Sequence, residues 1–309
     1  MRLSLALEEG LELSGPVLVR HPGVETDLSA LTDFDVETPD IRVAERFGDV
    51  NPEPRDYAAS LIIAPRAKDL ARDLIATAPG ALVVVDGQKT DGIDSLWREC
   101  RKRAEVMGSV TKAHGRIFWM KADQGAFADW EYEPPDLHGF ALAPGIFSAD
   151  GIDPGSYALA EVLPEKIEGS VIDLGAGWGY LSAVAEARGA TEIDMVEANA
   201  MALACAEANT RHAQGHWADA TRWQPTEKAD HVIMNPPFHE GRRGTPELGR
   251  EFIANAARCL TPKGTLWMVA NRHLPYEDAL AAHFSKVSDL TGPPGTEGFK
   301  LFQATRPKR

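Results

Sequence analysis

The run Ser170-Val-Ile-Asp-Leu174 passes directly into Gly175-Ala-Gly177-Trp-Gly179 and then into Tyr180–Ala187. Few architectures accommodate that succession. A short, mostly apolar and β-branched run reads as a strand buried on both faces. Glycines at alternate positions remove Cβ atoms, so the backbone can turn sharply and approach a ligand closely. The stretch after them reads as a helix. Strand, glycine turn and helix form a βα unit, and such units build open α/β sheets whose ligands lie at the carboxyl ends of the strands.

The glycine spacing is Gly-x-Gly-x-Gly with Asp173 two residues ahead of it. A dinucleotide loop would read Gly-x-Gly-x-x-Gly. The observed spacing is that of a loop for S-adenosylmethionine (SAM), which has no phosphate, so the helix N-terminus need not hold a pyrophosphate. Asp173, Gly175, Ala176, Gly177 and Gly179 are the first cofactor candidates. The next strand, Glu192–Val196, is followed by Glu197 and Ala198, with Glu197 twenty residues after Gly177. A carboxylate there can accept both hydroxyls of a ribose. Asp219, followed by Ala220, is placed to accept from an adenine amino group.

A second constellation is Asp230-His-Val-Ile-Met-Asn-Pro-Pro-Phe238. Val232–Met234 can form a buried strand. Two prolines then stop it, and Pro236 biases Asn235 away from helix. Asn235, Pro236, Pro237 and Phe238 are thereby presented at a carboxyl edge. An exocyclic amine on a flat ring is a poor nucleophile because its lone pair is delocalised. The Asn235 side-chain oxygen and the Pro236 carbonyl can each accept one of its N–H bonds and turn the lone pair toward an electrophile. Phe238 offers a stacking face, worth roughly 1–3 kcal/mol. Asn235 also borders the cofactor side. Phe147 and Ser148, in the turn-rich stretch Pro144–Ser156, and His239, Arg242 and Arg243, after the prolines, are candidate substrate contacts. The two arginines can reach a phosphate backbone.

Length and charge bound the rest. The 309 residues suggest two domains at ~150 residues each. Hydrophobic content of 44% and charged content of 25% are those of an ordinary globular protein. No apolar run approaches the ~20 residues of a membrane span, and the N-terminus turns acidic too soon for a signal peptide. Cys100, Cys205 and Cys259 are scattered and form no zinc pattern. His212 and His216, four apart, have no third metal ligand close in sequence. The expectation is a cytoplasmic, monomeric protein with no metal and no membrane. A net charge of −14 excludes a generic nucleic-acid binder. Acids outnumber bases 26 to 16 through Asp150 and 20 to 16 from Gly151. An RNA partner would therefore need local basic groups, such as Arg98, Arg101, Lys102 and Arg103 in the first half, a cluster otherwise read as a solvated helix face.

Residues 1–56 are weakly patterned and read as short strands and loops. From Ala58 the order becomes regular: an apolar run ending at Pro65, a helix over 66–78, a strand over 81–85, a charged helix over 93–107 and a strand over 116–120. It recurs as a strand over 231–234, a helix over 248–260 stopped by Pro262 and Gly264, a strand over 265–270, a helix over 276–284 and a final strand over 300–305. Leu-Ile-Ile-Ala-Pro matches Val-Ile-Met-Asn-Pro. Ala-Leu-Val-Val-Val-Asp-Gly-Gln-Lys matches Thr-Leu-Trp-Met-Val-Ala-Asn-Arg, and Arg116-Ile-Phe-Trp-Met matches Lys300-Leu-Phe-Gln-Ala. The reading is a duplicated α/β domain whose first copy lacks the catalytic residues, with Ala64-Pro65 standing for Asn235-Pro236. Residues 123–140 read as a linker, with the boundary at Pro134-Pro135. That gives 1–134 as a degenerate N-terminal domain and 135–309 as the catalytic one, with a helix from Tyr157.

Four blocks from Ala143 onward carry a family resemblance: Pro144-Gly-Ile-Phe-Ser-Ala-Asp-Gly-Ile-Asp-Pro-Gly-Ser156, Asp173-Leu-Gly-Ala-Gly-Trp-Gly179, Asn235-Pro-Pro-Phe-His-Glu-Gly241 and Val269-Ala-Asn-Arg-His-Leu-Pro-Tyr276. With these the chain resembles the RsmC-type ribosomal small-subunit RNA guanine-N2 methyltransferases. The resemblance implies an α/β fold of tandem class I, Rossmann-like methyltransferase domains, each a mostly parallel sheet with one antiparallel strand, the first copy degenerate. It also implies SAM as cofactor and ribosomal RNA or the small subunit as partner. The alternatives are the large-subunit guanine-N2 enzymes, an adenine-N6 or protein glutamine-N5 methyltransferase, since Asn-Pro-Pro-aromatic serves all planar amines, and a SAM-binding RNA scaffold or assembly factor without turnover. A cysteine-based pyrimidine C5 enzyme is disfavoured, as no Cys lies near a Pro at the strand end.

Overall fold

The computed structural model describes residues 2–121, 123–237 and 246–308. It divides into two compact units, Met1–Pro134 and Pro135–Arg309. The first contains α1 (Arg2–Glu8), β1 (Val17–Arg20), β2 (Phe34–Glu37), α2 (Ile41–Phe47), β3 (Ala59–Ile63), α3 (Lys68–Ala76), β4 (Leu82–Gln88), α4 (Ile93–Cys100), β5 (Val106–Lys112), β6 (Gly115–Lys121) and α5 (Gln124–Phe127). The second contains α6 (Pro154–Val162), β7 (Ser170–Leu174), α7 (Tyr180–Ala187), β8 (Glu192–Glu197), α8 (Ala200–Asn209), β9 (Gln214–Trp217), β10 (Ala229–Met234), α9 (Pro246–Cys259), β11 (Leu260–Asn271), α10 (Glu277–His283), β12 (Phe284–Leu290) and β13 (Phe299–Pro307).

The second sheet has the order β12-β13-β11-β10-β7-β8-β9. All its neighbours pair in parallel except those of β13, which runs antiparallel to β11 and β12. β7 is central because both its faces are apolar. Ile172 and Leu174 join Val232, Met234 and Met268 beneath α9, where Phe252, Ile253 and Ala256 pack. Val171 joins Ile233, Trp267 and Val269 beneath α6 and α7, where Leu159, Leu181 and Ala185 pack. Each fully buried aliphatic side chain of this kind contributes about 1.5–3 kcal/mol, and strands buried on both faces are the mark of a parallel sheet covered by helices. From β7 the chain moves outward through β8 to β9, then returns to place β10 on the other side of β7. The strand order reverses between β7 and β10, and a crevice opens at their carboxyl ends.

The first sheet, β2-β1-β3-β4-β6-β5, has the same plan without a counterpart to β9. β6 is its antiparallel strand. The sequence match of β6 with β13 sets the register between the copies. The row Trp119–Val84–Leu61–Val19 crosses the first sheet, and Gln303–Trp267–Ile233–Asp173 crosses the second. Counting forward from these rows, Ile63 stands where Asn235 stands; the expected Ala64 is one place too far. Val19 occupies the position of Asp173, and His21 that of Gly175. His21 keeps the backbone form of that glycine, with φ +59° against +76°, and the same bond, its N–H donating to Glu37 O at 2.9 Å as Gly175 N–H donates to Val196 O at 2.8 Å. The first copy therefore preserves the fold while lacking the acid and the amide.

Several boundaries differ from the sequence reading. Residues 1–56 contain α1 and α2 as well as two strands. The helix expected over 93–107 stops at Cys100, and β5 follows; β12 was likewise not anticipated. Both are edge strands with one neighbour; β5 alternates half-buried with exposed residues over most of its length and β12 buries only Phe284, so neither carries a buried apolar run. β11 begins at Leu260, before Pro262 and Gly264, because a register shift against β10 absorbs them. The first part of the expected linker is packed structure: Phe127 and Trp130 are buried, with ring centroids 4.9 Å apart. Helix α6 starts at Pro154, three residues before the expected Tyr157. Asp153 caps it by accepting from Ser156 N–H at 2.7 Å, and proline at the first helical position suits its fixed φ.

Gly179, at φ +86°, opens α7, and a Cβ there would lie 2.8 Å from the Ala206 Cα on α8. The obstacle is backbone and cannot rotate away. Gly179→Ala is expected to lower unfolding stability by about 1–3 kcal/mol or more, read as a reduced urea midpoint; an unchanged midpoint would mean that α7 and α8 are not packed this closely.

Candidate functional site

The glycine loop leaves β7 as soon as the strand ends. Gly175 and Ala176 N–H both donate to Val196 O, at 2.8 and 3.2 Å, and Gly177 N–H donates to Glu197 Oε2 at 2.8 Å. Glu197 Oε1 accepts from Asn199 N–H at 2.9 Å. The loop is therefore tied to the end of β8. Trp178 anchors it from behind. Its ring is buried between Phe140 and Tyr180, with centroids 5.0 and 5.7 Å away. Asn209 at the end of α8 completes the anchor, donating from Nδ2 to Trp178 O at 2.8 Å and to Ala141 O at 3.0 Å. Gly177 has φ +56°, and an added Cβ would meet nothing within 4 Å. One glycine of the loop thus faces open space, while Gly179 faces packed backbone.

Asp173 is almost fully buried on the α7 face of β7, among aliphatic side chains. Its Oδ2 accepts from Ser182 Oγ at 2.7 Å. Its Oδ1 is buried with no hydrogen-bond partner. Burial pushes the carboxyl up to about 7; the Ser182 hydroxyl pulls it down and the nearby Glu197 charge raises it further. A buried acceptor without a donor is costly, and such an orphan is the mark of a position that a ligand completes. An unpaired acceptor at the foot of the glycine loop fits a ligand group that donates, such as the cationic amine that SAM carries.

Glu197 and Ala198 lie half-buried at the end of β8. Ala198 O accepts from Trp217 Nε1 at 2.9 Å. Asp219 begins a turn after β9. Its Oδ1 accepts from Thr221 N–H at 2.9 Å and Thr221 Oγ at 2.7 Å, and its Oδ2 lies 3.3 Å from Arg222 Nε. Burial opposes its ionisation, but Thr221 and Arg222 outweigh this and hold the carboxyl below its usual range. Ala220 is buried, and its carbonyl accepts from Asn255 Nδ2 at 2.8 Å. His216 is engaged with Asp194 at 2.7 Å, and His212 contributes its N–H to Glu186. In the first unit, Arg103 is paired with Asp129 and Arg101 lies over Trp97. Those two arginines of the expected basic cluster are thus engaged within the domain.

Asn235 follows the last residue of β10, where the prolines stop the strand. Its Nδ2 donates to Asp153 Oδ2 and to Ser156 Oγ, each at 2.9 Å. A carboxylate accepts only, so the amide must present nitrogen to Asp153 and keep Oδ1 for other donors. Pro236 is buried and Pro237 exposed. Asn235, Asp153 and Ser156 share one cleft with Phe147, Ser148 and the glycine loop. Phe147 is 55% exposed, an unusual state for an aromatic ring, and Ser148 sits at φ +54°. Phe238, His239, Arg242 and Arg243 lie outside the described residues. Sequence reasoning had not singled out Asp153, Ser156 or Asn209. The Asp-Pro-Gly-Ser signature of a helix N-terminus was available for the first two, but nothing local to it pointed eighty residues onward to Asn235.

A ligand amine at Asp173 favours the charged carboxylate, so below about pH 7 binding must expel a proton. SAM affinity is accordingly expected to rise with pH from 5.5 and level off near 7, with proton release visible by calorimetry in buffers of different ionisation heat. Asp173→Asn should flatten that profile. A wild-type profile that is already flat would contradict the placement.

A family model described as the methyltransferase small domain matches residues 138–303. A Shewanella oneidensis protein named ribosomal RNA small subunit methyltransferase C is 32% identical over 276 residues, covering 83% of this chain and 79% of its own length. A Shewanella halifaxensis protein of the same name is 32% identical over 265 residues, covering 79% and 77%. The structure of the T. thermophilus 16S rRNA N2 G1207 methyltransferase RsmC, in complex with AdoMet and guanosine, superposes with a TM-score of 0.74. The match covers 97% of this chain and 90% of that one at 22% identity, which speaks for the fold. Glycine loop, proline-stopped strand and paired sheets thus occur together in a chain that belongs to the small-subunit ribosomal RNA methyltransferase C family, within the methyltransferase small domain family.

Proposed function

We propose that the second domain transfers a methyl group from SAM to the exocyclic N2 amine of a guanine in small-subunit ribosomal RNA. The observation that carries this reading is the Asn235 amide, held through its nitrogen by Asp153 and Ser156 in a cleft shared with the glycine loop. The names of the Shewanella relatives support the substrate class, and the T. thermophilus complex with AdoMet and guanosine supports both cofactor and substrate classes.

Asp173, Gly175, Ala176, Gly177 and Gly179 would hold the amino-acid end of SAM. Glu197 and Ala198 would meet the ribose, and Asp219 and Ala220 the adenine. When bound, SAM supplies a methyl group on a sulfonium centre, an electrophile that needs no further activation. The chain's own work is then done on the amine. Asn235 Oδ1 and the Pro236 carbonyl each accept one N–H of the base, which takes the nitrogen lone pair out of conjugation. Phe147 and Ser148 border the base, and Phe238 stacks on it. Phosphates of the RNA would fall to Arg242 and Arg243, and His239 would be a further substrate contact. The target base must be splayed from its helix to enter such a cleft. Catalysis in this scheme is largely positioning, a source that can supply several kcal/mol of barrier reduction.

Asn235→Ala removes the acceptor and leaves the glycine loop alone. Single-turnover transfer to small-subunit RNA is expected to fall by about a hundredfold or more, with SAM affinity within about twofold of wild type. Turnover at the wild-type rate would remove Asn235 from the reaction; a parallel loss of SAM binding would make it a cofactor residue instead.

A further inference from the structure

The cleft holds one acceptor that methyl transfer as described leaves unused. Asp153 binds Ser156 N–H and Asn235 Nδ2 through the same oxygen, Oδ2, at 2.7 and 2.9 Å. Its other oxygen, Oδ1, has no hydrogen bond to any described residue, and Asp153 is half-buried in the wall of the cleft beside Asn235. The carboxylate is thus anchored on one side by the helix it caps and by the amide it orients, with an acceptor remaining next to the group that receives the substrate amine.

Planar amines differ in what lies next to the NH2. Guanine has N1–H beside its 2-amino group, two donors on one edge. Adenine has an unprotonated N1 beside its 6-amino group, a donor next to an acceptor. A glutamine side chain has a carbonyl oxygen there. An ionised carboxylate only accepts. Set against adenine or glutamine it would face a lone pair, and set against guanine it would receive N1–H. We infer that Asp153 is the specificity-determining residue of the cleft: Oδ2 fixes the Asn235 amide with its oxygen toward the substrate, and Oδ1 accepts N1–H of guanine. This rests on the reading of the cleft as a site of methyl transfer to a planar amine, and it selects guanine among the amines that an Asn-Pro-Pro strand end can serve.

The test uses nucleosides as competitors of methyl transfer into small-subunit RNA by the full-length, SAM-loaded protein. Guanosine presents both donors. 2-Aminopurine riboside keeps the 2-amino group but has an acceptor at N1 and no oxygen at C6, so the Asp153→Asn arm assigns the difference to N1. Wild-type protein is expected to be inhibited by guanosine at concentrations at least about tenfold lower than by 2-aminopurine riboside, the scale of one base-edge contact. Asp153→Asn retains a side chain able to cap α6 and can present either a donor or an acceptor. It should bring the ratio close to one while binding SAM as the parent does. The comparison on wild type needs no variant and stands even if the substitution impairs folding. Equal inhibition of wild type by the two nucleosides would overturn the role of Asp153 while leaving methyl transfer intact, as would a variant with the full wild-type ratio. Absence of transfer to RNA by folded, SAM-binding wild type would instead overturn the reading of the cleft, and this inference with it.

Discussion

Three residue pairs, His231 with Val171, Val232 with Ile172 and Ile233 with Asp173, join β10 to β7 in parallel. The site depends on that pairing. The glycine loop and the Asn-Pro-Pro turn are sixty residues apart in the chain. They meet because the two strands that carry them run the same way and end at the same edge. Both strands are apolar on both faces, so burial drives the pairing and a slip of one residue would turn Asp173 and Ile233 to the wrong sides. Helix α6 supplies the third part. Packed on the same sheet face, it brings its N-terminal Asp153 and Ser156 to the end of β10.

The candidate site lies where the fold gives up stability. Asp173 stands between Ile233 and Met195 in a row across the sheet, and its partner position in the first copy is the unproblematic Val19. At Asn235's place the first copy has Ile63. The comparison separates the residues that make the sheet from those that make the site. Where the fold alone is at stake, valine and isoleucine suffice. The acid and the amide cost stability by burial of polar atoms, and Ser182, Asp153 and Ser156 offset part of that cost with hydrogen bonds. Asp173 Oδ1 is the part left unpaired.

Much of this was legible in the sequence because local chemistry forces it. A strand cannot continue through Asn-Pro-Pro, and Gly-x-Gly-x-Gly after a buried run has few other uses. The duplicated order of elements was visible in apolar runs and confirmed by the shared sheet order. What escaped had physical reasons. Edge strands β5 and β12 need only one buried flank, so neither carries a continuous apolar run. The offset between Ala64 and Ile63 could not be seen without ladders, since a one-residue slip leaves composition unchanged. The bonds from Asn235 to Asp153 and Ser156 join residues about eighty apart. Only the topology brings them together.

The central claim is that this cleft delivers a methyl group to the amine of guanine. Its most direct test is the product. Small-subunit RNA from cells deficient in the modification, incubated with the protein and SAM labelled in the methyl group, would be digested to nucleosides and resolved by mass. Label is expected in N2-methylguanosine, and none there when the protein is left out. Label in N6-methyladenosine, or in protein instead of RNA, would contradict it.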